Sequence, residues 1–312
     1  MMRAKRWCVF GLAGALTLIA SAARAGGAWV PQPGQGDMQF GYSEKTANAS
    51  WDPRGNTRVS NSWHIFRYAY AGGEVGLLRD LSARYLVLYL DGLEGPRGDM
   101  EHNAGFSEAF FGLKYGLRQG TWPMAVALNV RTSYLYDLPG AYDRHLFLPD
   151  DDDLDADGDD EDATFKGVSP EWRGLLGEDY GLSFLVSRSV FDGGWTNFEI
   201  GYTYRTGNLA DEVPFLAEVG YPLPWQSLIL KGTYSWVQSV GNNSDQRQPG
   251  DRFGCSPNNC FPDASRMVLG GALFRNFGEE KKWWGEAGWN QWIWGRSARK
   301  YEEPYLSVGR RF

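Results

Sequence analysis

Cysteine, histidine and long apolar runs are all scarce in this 312-residue chain. Beyond residue 20 no apolar run approaches the roughly 18–20 residues that a membrane-spanning helix needs, which excludes a helical membrane protein. Basic residues are in deficit, 31 Lys and Arg against 38 Asp and Glu, and the net charge of −7 argues against nucleic acid as a partner. The three histidines, His64, His102 and His145, stand in no H-E-x-x-H pattern, and neither a G-x-S-x-G elbow nor a P-loop occurs. No catalytic residue is therefore assigned, and the chain is read as a non-enzyme. The three cysteines fit no metal-site spacing.

Residues 1–25 read as a cleavable secretory signal. Arg3, Lys5 and Arg6 supply its positive start, residues 8–20 its short apolar stretch, and Ala23-Arg24-Ala25 its cleavage pattern. Cys8 falls inside it. Export to an oxidising compartment makes a disulfide between Cys255 and Cys260, in CSPNNC, the expected state of the remaining pair. The rest, 26–312, is read as one domain.

What the chain has in abundance is glycine (40 residues), aromatics (15%) and alternation of period two. In EAFFGLKYGLR, 108–118, Phe111, Leu113, Tyr115 and Leu117 oppose Glu108, Gly112, Lys114 and Arg118. In 122–134, Trp122, Met124, Val126, Leu128 and Val130 oppose Ala125, Ala127, Asn129 and Arg131. Such alternation marks strands with one apolar and one polar face. The pattern predicts twelve strands: 36–45, 60–71, 81–91, 106–118, 122–136, 180–191, 195–206, 211–222, 225–239, 264–275, 283–295 and 302–312. The links at 45–60, 91–106, 136–180, 239–264 and 295–302 are mostly long and polar. Those between them are mostly short, and the link at 206–211 is short although it falls on the long side. Segments of this length with loops sorted by size predict an all-β, transmembrane, antiparallel up-and-down β-barrel of twelve strands. An even strand count puts both termini on the short-turn side, the periplasm.

The chain closes on YLSVGRRF, with Leu306, Val308 and Phe312 in phase. This resembles the last strand of Gram-negative outer-membrane barrels, although Arg310 stands where that pattern prefers tyrosine or an apolar residue. The start AW…P…G.G…..GY, FGLKYGLRQGTWPMAVALNVRT and YGLSFLVSRSVFDGGWTNFEIGYTYRTG are similar to transporter-type outer-membrane barrels associated with the phenol-degradation meta pathway. The resemblance implies fold and outer-membrane location; it says little of the solute. Outer-membrane phospholipases are a possible enzyme class for such a barrel, but His64-Ile65-Phe66 and His102-Asn103-Ala104 lack the H-x-S context.

Parity assigns Arg67, Glu108, Lys114, Arg118, Arg131, Glu199, Arg205, Glu218, Lys231 and Glu286 to the lumen. Two readings stand for them: mutual salt bridges filling a narrow barrel, or a charged path that selects a solute. Five of the 14 tryptophans crowd into WWGEAGWNQWIW, 283–294. Trp283 and Trp289 are expected in lipid, and Trp292 and Trp294 inside the outer mouth, as stacking platforms for a solute. A bulge would return these two to the lipid side. In the acidic run at 149–165, Asp153, Asp155, Asp157 and Asp159 have the spacing of a calcium-loop start, but Thr164 takes the place of the closing glutamate. The run is read either as a loose calcium site or as a solvated acidic loop; no cofactor is required. The leading function is a channel or transporter for a small hydrophilic or amphiphilic solute, with membrane lipid and the outer-membrane assembly machinery as partners. The alternative is a structural or export-partner barrel, for instance for polysaccharide.

Overall fold

A computed structural model describes residues 27–51, 54–96, 101–132, 178–206, 211–224, 228–240, 265–296 and 298–312. Residues 1–25, Cys255, Cys260, Asp153, Asp155, Asp157, Asp159 and nearly all of the loops at 136–180 and 239–264 lie outside them.

Twelve long strands form: β1 (Gly36–Trp51), β2 (Thr57–Leu78), β3 (Leu81–Pro96), β4 (Glu101–Arg118), β5 (Met124–Thr132), β6 (Glu178–Val190), β7 (Gly194–Arg205), β8 (Asp211–Pro222), β9 (Leu228–Val240), β10 (Ser265–Phe277), β11 (Trp283–Arg296) and β13 (Glu302–Arg311). A two-residue piece, β12 (Ala298–Arg299), extends the pairing of β1. Each strand pairs antiparallel with its neighbour. β1 meets β2 on one side and β13 on the other, so the sheet closes on itself and leaves no open edge. Closure is what permits a sheet to cross a bilayer, since every backbone group finds its partner within the wall.

Two of the expected long loops are largely strand. β1 and β2 leave only 52–56 between them, and β3 and β4 only 97–100. Their polar sequences were read as loop because they lack an apolar face. A strand that continues beyond the hydrocarbon needs no such face. β2 runs 22 residues, and at roughly 2.5 Å of climb per residue about ten suffice for the ≈ 25 Å apolar band.

The faces divide by parity. Phe111, Leu113, Tyr115, Leu128, Tyr202 and Trp289 are among the exposed outward residues, while Lys114, Ala125, Ala127, Glu199 and Trp284 are buried inside. Bulges interrupt this order in places. Ser107 is the extra residue between Leu88↔Glu108 and Tyr89↔Phe106, and it resets which half of β4 faces in. In the β7–β8 ladder the pairs stop at Ile200↔Phe215 and resume at Thr203↔Glu212. Pro214, which has no N–H to give, sits in that gap.

Ahead of β1 the chain does not alternate; it turns into the barrel at the short-turn end. Ala28 donates its N–H to Ser187 Oγ at 2.7 Å. Lys114 Nζ donates to the carbonyls of Gly27 at 3.1 Å and Trp29 at 2.6 Å. Ala28 packs on Ala125, Ala127 and Leu185. Gly27 takes a positive φ of 48°, and a Cβ there would collide with Asn197 and Ser187. The segment then pairs with Gly76, and Gly36 and Phe312 exchange backbone hydrogen bonds at 3.1 and 3.0 Å.

Candidate functional site

The lumen is built of two unlike walls. On one, β2 and β3 turn Phe66, Tyr68, Tyr70, Leu86, Leu88 and Leu90 inward, each no more than 4% exposed. Trp51, Val268, Trp292 and Tyr301 complete this apolar cluster. It arises because β2 and β3 are rich in large apolar residues on both faces, so parity alone buries half of them.

The other wall, β4 to β11, is charged. Arg131 and Arg205 both pair with Asp179, the latter at 3.5 Å. Arg205 also meets Glu212 at 3.1 Å, and Arg266 reaches that carboxylate at 3.6 Å. Nearer the short turns, Lys231 lies 2.5 Å from Glu286 and 3.7 Å from Glu218. Tyr305 donates to Glu286 at 2.6 Å, and Trp195 and Asn197 donate to Glu218 at 2.6 and 2.9 Å. Across the barrel Lys114 pairs with Glu74 at 2.7 Å, which also accepts from Ser82. Buried charges are tolerated when paired and hydrogen-bonded, and all of these are paired, although Asp179 Oδ2, Arg205 Nε and Arg266 Nη1 make no hydrogen bond with a described residue. Glu108 goes further: it is 1% exposed, and neither oxygen takes a hydrogen bond from a described residue. Its field comes from Arg131, Arg205 and Lys45.

Between the walls lies a cavity of about 80 Å³. Leu86, Phe110, Pro214 and Leu216 give it an apolar side; Arg131, Asp179, Glu199 and Glu212 give it a charged one. At some 15 Å³ per water it has room for only a handful.

Eight of the ten residues assigned to the lumen face the interior: Glu108, Lys114, Arg131, Glu199, Arg205, Glu218, Lys231 and Glu286. Two do not. Phe66 and Tyr68 point inward, so Arg67 points outward, where Glu44 (3.0 Å) and Asp91 (3.3 Å) pair with it. It stands eleven residues from the short-turn end of β2, roughly 27 Å up the wall and past the apolar band, where an outward charge is cheap. Arg118 is carried to the outer rim by a bulge that skips Leu117 and pairs it with Met124, and it is exposed there. Lys45, Glu74, Arg84, Asp179, Glu212, Arg266 and Glu303 are buried inside and were not singled out from the sequence. Single charges in otherwise ordinary strands gave no cue to their partners.

The paired tryptophans part company. Trp292 faces in, but it is 1% exposed, packed edge-on against Tyr301 at 5.0 Å with Arg266 over its ring. It is a filled core position and no open platform. One extra residue between Trp292↔Val268 and Trp294↔Met267 carries Trp294 to the opposite side of the sheet, half-buried beneath Arg296. Truncating Trp292 to alanine is expected to cost about 3–5 kcal/mol of barrel stability. Trp294→Ala should cost far less. Urea midpoints of the two refolded variants measure the difference, and equal midpoints would refute this placement.

No family model matches the sequence, and no curated protein matches it. Solved structures do. An outer-membrane channel from Pseudomonas putida F1 superposes with a TM-score of 0.58 at 11% identity, over 91% of this chain and 97% of that one. More distant are the NanC porin (TM-score 0.46, 6% identity, 89% and 100% covered) and the translocator domain of the autotransporter NalP from Neisseria meningitidis (0.45, 10%, 96% and 94%). With twelve antiparallel strands closed into a barrel, the chain shares its fold with the outer-membrane channel from Pseudomonas putida F1.

Proposed function

We propose that this protein is an outer-membrane channel for a small amphiphilic solute, with its short-turn end and both chain ends on the periplasmic side. The observation that supports it is the mixed lining of the luminal cavity: Leu86, Phe110, Pro214 and Leu216 stand beside Arg131, Asp179, Glu199 and Glu212. A solute with an apolar body and a polar head satisfies both at once, whereas a fully hydrated solute leaves the apolar side unmatched. The solved Pseudomonas putida F1 structure of the same fold is an outer-membrane channel. Phe312 ends an exposed apolar row with Leu306 and Val308, the kind of terminal strand that outer-membrane assembly machinery engages.

A second reading, a structural or export-partner barrel, is favoured by the segment at 27–35 that fills the short-turn end and by the paired charges around it. An enzyme has less support: His102 hydrogen-bonds Asp91 at 2.5 Å on the outer face, and among the described residues no serine or cysteine joins them. The purified full chain in a planar bilayer separates the first two. A channel gives discrete conductance steps, and proteoliposomes take up amphiphilic solutes faster than sugars of equal size. A barrel silent both as made and with 28–34 removed is structural.

A further inference from the structure

The outer surface at the short-turn end carries basic side chains without counter-charges. Arg118, Arg188, Arg275 and Arg310 are exposed on the outside of the wall within about two residues of its edge, and Arg79 and Lys281 are exposed in the adjoining links. The acidic residues of this rim are fewer: Asp80, Asp192, Glu279 and Glu280. Among the described residues only Lys282, bound to Glu280 at 2.5 Å, has a carboxylate partner there. Two of the arginines lie on tryptophan faces instead: Arg188 over Trp122 at 4.7 Å and Arg310 over Trp283 at 5.4 Å. Those rings, with Phe191 stacked edge-on against Tyr221 at 5.3 Å, form the aromatic row that marks the bilayer interface. At the other end Arg67, by contrast, is held between two carboxylates.

A guanidinium lying over an indole still has N–H groups to offer, here at headgroup depth. Carboxylates would satisfy those groups; here none does. We propose that this collar binds the phosphates of anionic phospholipid headgroups in the leaflet at the short-turn end. Charge complementarity and depth select the ligand: a phosphate presented at the interface, tethered to a chain lying against Leu117, Phe277 and Leu306. Arg310, out of place in an ordinary terminal strand, then has a partner. The inference rests on the barrel's lying in a bilayer and is independent of what it transports.

Nanodiscs test it. The full-length protein is placed in discs of phosphatidylcholine with one-tenth phosphatidylglycerol, and the lipids retained on gentle extraction are counted by native mass spectrometry. Wild type is expected to retain phosphatidylglycerol enriched about fivefold or more over its bulk share, from roughly one interfacial charge's worth of attraction per arginine. The R188Q/R275Q/R310Q variant should lose the enrichment. The corresponding triple lysine variant should keep part of it, and R67Q all of it. Heat-modifiable mobility shows whether each variant is folded. No enrichment in wild type, undiminished enrichment in the glutamine variant, or displacement by millimolar inorganic phosphate overturns the collar. Failure of the folded protein to enter any bilayer would instead overturn the membrane reading itself.

Discussion

Deleting Ala28–Gly34 raises the single-channel conductance of the barrel severalfold without preventing insertion. The reason is geometric. The segment lies inside the short-turn opening, bound through Ala28 N–H to Ser187 and through the Gly27 and Trp29 carbonyls to Lys114. Around it the wall residues are small, Ala125 and Ala127, so nothing else fills the space once it is gone. Apart from the bond that Gly34 N–H gives to Gly76 of β2 at 2.9 Å, the strands pair with one another, and each keeps its ladder. Lys114→Met should raise conductance less, since it removes two of the ties and also strands Glu74. Planar-bilayer recording of all three proteins decides it. If the deletion conducts as the intact chain does, the segment does not limit the pore.

The second large effect is on stability. Lys231→Met leaves Glu218 and Glu286, 5% and 7% exposed, facing each other without the ammonium between them. Removing one partner from a buried ionic network costs about 3–5 kcal/mol, because the remaining charges stay desolvated. Hydrogen bonds from Trp195, Asn197 and Tyr305 persist and place the loss toward the lower end. Adding Glu286→Gln removes one of the two stranded charges and should recover much of it. Urea unfolding of the refolded barrel reads both variants. A single variant as stable as wild type would mean that water already solvates these carboxylates.

How far the sequence reveals such a site depends on where the information lies. Alternation is local, so the faces of β4, β5, β7 and β11 were legible, and with them the inward placement of Lys114, Arg131, Glu199 and Glu286. Arg67 was misplaced because its partners, Glu44 and Asp91, sit on two other strands; within its own strand it is a lone charge among aromatics. Trp294 was misplaced because the register slip opposite Met267 and Val268 belongs to the pairing of two strands and leaves no mark in either alone. The luminal segment was missed for another reason. With Gly27, Pro31, Pro33 and Gly34 it has no period at all, and its only hint was a short apolar patch, Ala28 to Val30, in a place where no strand fits.

The meeting of Gly36 with Phe312 joins the start of β1 to the end of β13 at the short-turn end. The luminal segment runs directly into β1, the strand that seals the cylinder from Thr46↔Glu302 down to Asp37↔Arg311, while its own ties reach Ser187 on β6 and Lys114 on β4. One continuous stretch of backbone therefore serves as both stopper and seam.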